Sequence, residues 1–92
     1  TKIEASRMLT WKSAADSDAG VKNTESAAHA KRFAADTAME VSTDAVQVYG
    51  GYGYSEEYPV ARLMRAAKVM QIYEGSSQVQ KMIIGREITK DL

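Results

Sequence analysis

From Thr24 to Tyr49 the sequence runs for about 26 residues without a glycine or proline, with alanine at positions 27, 28, 30, 34, 35 and 38. Alanine is the strongest helix former, and an unbroken helix of that length measures about 39 Å. That is long for a chain of 92 residues, so part of it is expected to pack against another chain or another domain. Alanines carry little bulk and favour closely spaced helices, leaving Phe33, Val41, Val46 and Val48 as the larger contacts. Asn23 or Thr24 is placed to cap the start. Gly50-Gly51-Tyr52-Gly53 ends the run, because glycine readily takes the left-handed conformation of a helix C-cap.

Helical spacing fills most of what remains. A first helix is expected from about Ile3 to Ala15, where Ile3, Met8, Trp11, Ala14 and Ala15 spread over a wide arc. Such an arc implies burial on more than one side. Asp16-Ser17-Asp18-Ala19-Gly20 reads as its stop and turn. The only proline, Pro59, suits a first helical turn, and a short helix is expected from about Val60 to Val69. Ser77 and Gln80 have capping-box spacing for a last helix, which carries Val79, Met82, Ile83 and Arg86 at helical intervals. No segment alternates with period two. The expected class is all-α, an antiparallel four-helix up-and-down bundle.

Composition narrows the chemistry. Lys plus Arg and Asp plus Glu balance at 12 each, so no basic face points to nucleic acid. No apolar run approaches the length of a membrane span, and no signal-peptide pattern is visible. Cysteine is absent and histidine occurs once, at His29. Disulfides and thiolate metal sites are therefore excluded, and no metal ligand set or Ser-His hydrolase site is expected. The first residue is Thr1 rather than Met, as in a processed chain or a piece of a longer one.

One carboxylate stands out. Glu74 lies in the connection before the last helix, preceded by Ile72 and Tyr73 and followed by Gly75. Apolar neighbours disfavour the charged form of a carboxylate and so suit it to take up a proton. Gly75 lets backbone or ligand approach closely. The plainer reading is a glutamate that complements the dipole at a helix N-terminus. The glycine cluster lacks a Rossmann fingerprint, since Gly51-x-Gly53 has no third glycine and follows a helix rather than a strand. Glu56 and Glu57 read as part of a turn, Trp11 and Phe33 as packing anchors, and Arg62, Arg65 and Lys68 as a solvated helical face.

The order and spacing of Gln47-Val48-Tyr49-Gly50-Gly51-Tyr52-Gly53-Tyr54, Glu57-Tyr58-Pro59-Val60, Arg62-Leu63-Met64-Arg65, Ala67-Lys68 and Ile72-Tyr73-Glu74-Gly75 closely resemble the C-terminal helical domain of the acyl-CoA dehydrogenases. The likeness is specific over residues 44–88 and looser over 1–43, where it rests on the Ala-rich helix. It implies an FAD-dependent enzyme that converts an acyl-CoA thioester to its trans-2-enoyl form, with Glu74 as the α-proton base. Tyr73 and Gly75 would then flank the substrate thioester. Gln47, Val48, Tyr49, Gly50 and Gly51 match positions that meet a neighbouring subunit's FAD, and Ser76, Ser77 and Gln78 match further flavin contacts. Ala66 departs from the family pattern, which usually has an acid there; Ser76 keeps the hydroxyl of the more frequent threonine.

The resemblance further implies that residues 1–92 form one helical domain, the C-terminal fragment of a longer three-domain enzyme. The implied partners are electron-transfer flavoprotein as acceptor and copies of the same chain in a dimer or tetramer. The implied compartment is a bacterial cytoplasm or a mitochondrial matrix. The alternative is a catalytically inert helical oligomerisation or interaction module derived from that domain.

Overall fold

A computed structural model describes all 92 residues, and the long helices expected from the sequence all form. They are α1 (Lys2–Asp18), α2 (Thr24–Tyr49), the one-turn α3 (Gly51–Tyr54), α4 (Pro59–Met70) and α5 (Ser77–Thr89). α1, α4 and α5 each pack on α2, and none of the three packs on another. The molecule measures 51 × 23 × 20 Å with a radius of gyration of 15.6 Å. A compact chain of this length would have a radius near 12 Å. The excess reflects helices strung along a rod instead of closing round a shared centre.

Asn23 precedes α2 as its N-cap residue, but its side chain donates to the Ser13 carbonyl and hydroxyl at 3.3 Å, tying α1 to α2. Gly50, at φ 67°, ends α2 as expected. α1 runs past the expected stop to Asp18, and the turn comes at Ala19 and Gly20. Asp16 stays helical because Lys12 pairs with it at 3.1 Å and the Ser26 hydroxyl donates to it at 3.0 Å. A Lys2–Glu40 pair at 2.6 Å closes the far end of this antiparallel hairpin. The expected burial of α1 on more than one side does not occur: Ile3, Met8 and Trp11 are exposed, Trp11 by 59%. Ile3 borders an open groove, and Met8 and Trp11 are left half or more exposed.

α4 opens with Pro59 in its first turn and buries Val60 and Ala67. It runs antiparallel to α2 along the C-terminal half of that helix, and Lys31 meets the end of α4 at the Met70 carbonyl. α5 begins where Ser77 reaches Asp36 and proceeds toward α2's start, where Lys22 lies 3.9 Å from Glu87. The all-α class holds, with four long helices. Their directions differ from strict up-and-down alternation, because α4 and α5 follow each other end to end along α2. The cause is the pinning of connection 71–76 to α2, which carries the chain onward without reversing it.

The buried apolar residues are Ala28, Ala30, Ala35, Val60 and Ala67, so alanines on α2 set the close helix spacing. Ile3, Val41, Val60 and Leu63 border an apolar groove of about 430 Å³ between α1, α2 and α4. No helix is long and apolar enough to cross a membrane.

Candidate functional site

The connection between α4 and α5 gathers the polar groups that sequence reasoning separated. After α4, the Ile72 and Tyr73 amides donate to the Val69 carbonyl at 3.0 and 3.1 Å, finishing the helical turn. Glu74 then takes φ 55°, the one non-glycine residue in left-handed backbone, and Gly75 follows at φ 88°. A left-handed non-glycine residue costs of order 1 kcal/mol. It persists only where its surroundings over-determine it.

Those surroundings are specific. The Lys31 ammonium donates to the carbonyls of Met70 at 2.5 Å, Tyr73 at 3.2 Å and Gly75 at 3.2 Å. The buried Gln80 amide donates to the Glu74 and Gly75 carbonyls, each at 3.3 Å. Asp36 accepts from Gln71 at 2.8 Å and from the Ser77 hydroxyl at 2.7 Å, with Arg32 at 3.9 Å. Both flanks of the loop are thus fastened to α2.

This arrangement changes the expected capping. Ser76, in extended backbone at φ −61° and ψ 163°, caps α5 by accepting from the Val79 amide at 3.2 Å. Ser77 is not the cap, because Asp36 takes its hydroxyl proton, and Gln80 is not its box partner, because it turns to the carbonyls of the loop. Glu74 is not a cap either. Its carboxylate is exposed and makes no hydrogen bond or ion pair. Ile72 and Tyr73 are themselves 60% and 45% exposed, so this chain alone does not wall the carboxylate with apolar groups.

Burial pushes the Asp36 carboxyl up, but the hydrogen bonds from Ser77 and Gln71 and the charges of Arg32 and Lys81 outweigh it and hold it below the ordinary carboxylate value. A folded carboxyl more acidic than the unfolded one stabilises above the unfolded value, about pH 4. That contribution is lost as pH falls through the lower folded value. Asp36→Asn is therefore expected to cost about 1 kcal/mol at pH 7, with the difference from wild type shrinking below pH 4. Urea midpoints of both forms at pH 7 and pH 3 check this; a gap of equal size at both would contradict it.

Tyr73, Glu74, Gly75, Ser76, Ser77 and Gln78 come together at this one place. Of the last three, Gln78 alone keeps an exposed side chain with no partner in the chain. Gln47, Val48, Tyr49, Gly50 and Gly51 lie elsewhere, exposed at the far end of α2. At 1.5 Å per residue from Asp36, they are about 20 Å away. A Cβ at Gly50 or Gly51 would meet nothing within 4 Å, so a ligand can approach that backbone. Beneath it Gly53 is buried, and Tyr58 packs edge-on against Tyr49 at 6.0 Å and tilted against Tyr52 at 5.6 Å.

Sequence reasoning missed Lys31 and Asp36. Their partners lie 35 or more positions downstream, a separation that helical periodicity does not reveal. The available signal was weak: Lys31 and Asp36 stand, with Arg32, as the charged side chains in a stretch otherwise rich in alanine.

With the geometry in hand, comparison with known proteins gives a consistent result. The family model for the acyl-CoA dehydrogenase C-terminal domain matches residues 1–89. The chain is 58% identical over 84 residues to the short-chain-specific acyl-CoA dehydrogenase of Megasphaera elsdenii, covering 91% of this chain and 22% of that protein. It is 53% identical over 91 residues to cyclohexane-1-carbonyl-CoA dehydrogenase of Geobacter metallireducens, covering 99% and 24%. The solved butyryl-CoA dehydrogenase of M. elsdenii superposes with a TM-score of 0.92 at 56% identity, over 95% of this chain and 23% of that one. A solved chain from work on the electron transferring flavoprotein of Acidaminococcus fermentans gives 0.96 at 52%, over 99% and 24%. The chain thus spans about a quarter of the length of the relatives it matches. In sequence and in fold, this chain belongs to the acyl-CoA dehydrogenase family and corresponds to its C-terminal domain.

Proposed function

We propose that this chain is the base-bearing C-terminal domain of a three-domain, FAD-dependent acyl-CoA dehydrogenase that forms trans-2-enoyl-CoA, with Glu74 removing the α-proton. The observation that carries this reading is Glu74 itself: a carboxylate without an internal partner, on left-handed backbone fastened by Lys31 and Gln80. Asp18, Asp44, Glu56 and Glu57 are unpaired as well, but Glu74 alone among them sits on strained backbone that other residues hold in place. The names of the relatives, which include short-chain-specific and cyclohexane-1-carbonyl-CoA dehydrogenases, support an acyl-CoA thioester as substrate.

The α-proton of a thioester is weakly acidic, so its removal needs a positioned base and stabilisation of the enolate charge that develops. Glu74 supplies the base, and its own amide N–H suits the thioester oxygen. Tyr73 and Gly75 border the thioester end. Of the residues assigned to a flavin near the base, Gln78 offers a free side chain and Ser76 a free amide N–H, while Ser77 is engaged by Asp36 and Gln71 and would act by shaping the start of α5. The open backbone at Gln47, Val48, Tyr49, Gly50 and Gly51 would hold the flavin of a neighbouring subunit. When bound, FAD accepts the hydride lost from Cβ. Apolar groups from the rest of the enzyme complete the enclosure that Ile72 and Tyr73 begin. Electron-transfer flavoprotein as acceptor, a homodimer or homotetramer, and a bacterial cytoplasm or mitochondrial matrix belong to the same reading.

The test is to purify the longest native polypeptide that carries this sequence. It is expected to be yellow and to bleach anaerobically on addition of a short acyl-CoA, whereas the 92 residues alone retain no flavin after gel filtration. A colourless native polypeptide, or stoichiometric flavin on the short chain, would overturn the corresponding part. The apolar groove beside α1 favours the second reading, an inert interaction module, which predicts no response to acyl-CoA.

A further inference from the structure

Lys31 has a use that the fold alone does not require. Its ammonium carries three donors, and the structure gives it three carbonyls, those of Met70, Tyr73 and Gly75. The Met70 carbonyl belongs to the last residue of α4, where a cation complements the negative end of the helix dipole. The other two belong to the loop itself. No peptide bond in the chain is cis, and across a trans peptide the carbonyl and the following N–H point in opposite directions. A Tyr73 carbonyl drawn to Lys31 therefore turns the Glu74 N–H away from α2. A Gly75 carbonyl drawn the same way turns the Ser76 N–H outward. Neither N–H meets an acceptor within the chain. Gln80 holds the intervening Glu74 carbonyl, so the peptide planes on both sides of Glu74 are fixed.

From this geometry we infer that Lys31 is a positioning residue, which aims the Glu74 amide N–H outward as the donor to the substrate's thioester oxygen. The inference rests on the proposed function, since it presumes that Glu74 faces a thioester. Lys31 touches no reacting atom. It acts through the Tyr73–Glu74 peptide plane, and without it that plane is free to rotate and take the donor off target. An apolar side chain of similar length removes all three hydrogen bonds. Arginine keeps the charge, but its flat fork does not converge on three carbonyls set round one point.

The experiment uses the flavin-loaded longest native form with Lys31→Met, and Lys31→Arg as a second variant should the first fail to fold. Crotonyl-CoA carrying ¹³C at the thioester carbonyl is bound to the oxidised enzyme, and its carbonyl stretch is read by isotope-edited infrared difference spectroscopy. In the wild type the band is expected below its frequency in solution, as for a strongly hydrogen-bonded carbonyl. In the variants it is expected to move back toward the solution value at unchanged flavin content. kcat should fall about 10- to 100-fold, at or below the usual loss of one oxyanion donor, with a smaller change in KM. A merely structural lysine would lower the melting temperature and leave the band where it was. Wild-type band position and kcat in a folded variant would overturn the inference. Glu74→Gln separates the two levels: if it leaves flavin reduction intact, the proposed function fails; if it abolishes reduction while the Lys31 variants behave as wild type, the positioning role alone fails.

Discussion

Replacing Glu74 with glutamine in the longest native form is expected to slow flavin reduction by acyl-CoA by a factor of about 10² to 10⁴, the usual contribution of a positioned acid–base group. Flavin content and melting temperature should stay at wild-type values. The structure explains why the effects separate. The Glu74 carboxylate makes no hydrogen bond or ion pair, so exchanging it for an amide breaks no internal contact. The loop is held through main-chain carbonyls, by Lys31 and Gln80, and glutamine leaves those in place. Only the capacity to accept a proton is lost. Stopped-flow bleaching of the flavin, with thermal melting alongside, checks both halves. A variant that reduces its flavin at the wild-type rate would remove Glu74 from the chemistry and require a base elsewhere in the enzyme.

Gly53→Ala is expected to cost about 1–3 kcal/mol, the range for overpacking a closed site. A Cβ on Gly53 would lie 2.5 Å from the Val46 carbonyl oxygen and 2.7 Å from the Tyr49 Cβ. One of those atoms is backbone within α2, so it cannot rotate aside. The one-turn α3 would have to lift, pulling Tyr52 from its packing against Tyr58 and disturbing the Gln47–Gly51 turn. Gly51→Ala is the matched control, because its Cβ meets nothing within 4 Å and its φ is not left-handed. Urea unfolding should show the Gly53 variant shifted and the Gly51 variant near wild type. Equal midpoints would mean that α3 yields without cost.

Much of the fold could be read from the chain because local chemistry dictates it. Alanine from 27 to 38 and Gly50 mark α2, and Pro59 marks the first turn of α4. Glu74 could be singled out because an acid between an apolar-aromatic pair and a glycine is unusual in a short connection. Capping-box spacing puts the cap of α5 at Ser77, one residue beyond Ser76, which caps it in the structure. Two adjacent serines offer the same hydroxyl, and only Asp36, distant in sequence, decides which of them is free to cap. Lys31 escaped for a related reason: its partners are carbonyls, which no residue name discloses. The end-to-end run of α4 and α5 follows from those same tethers and not from any periodicity. For α1, the wide apolar arc predicts burial on more than one side, whereas the chain packs it only against α2 and leaves Ile3, Met8 and Trp11 exposed.

Because α1, α4 and α5 lean on α2 and not on one another, no outer helix has to open before its neighbour does. Local opening in such a layout is graded instead of all-or-none. The outer helices peel away one at a time, and the middle of α2 exchanges its amide protons last. The loop carrying Glu74 is the exception among the outer parts, since Lys31 and Asp36 anchor it to that slowest-exchanging stretch. The residue proposed to do the chemistry is therefore tied, through neighbouring main-chain carbonyls, to the most durable part of the domain, although it stands on the surface.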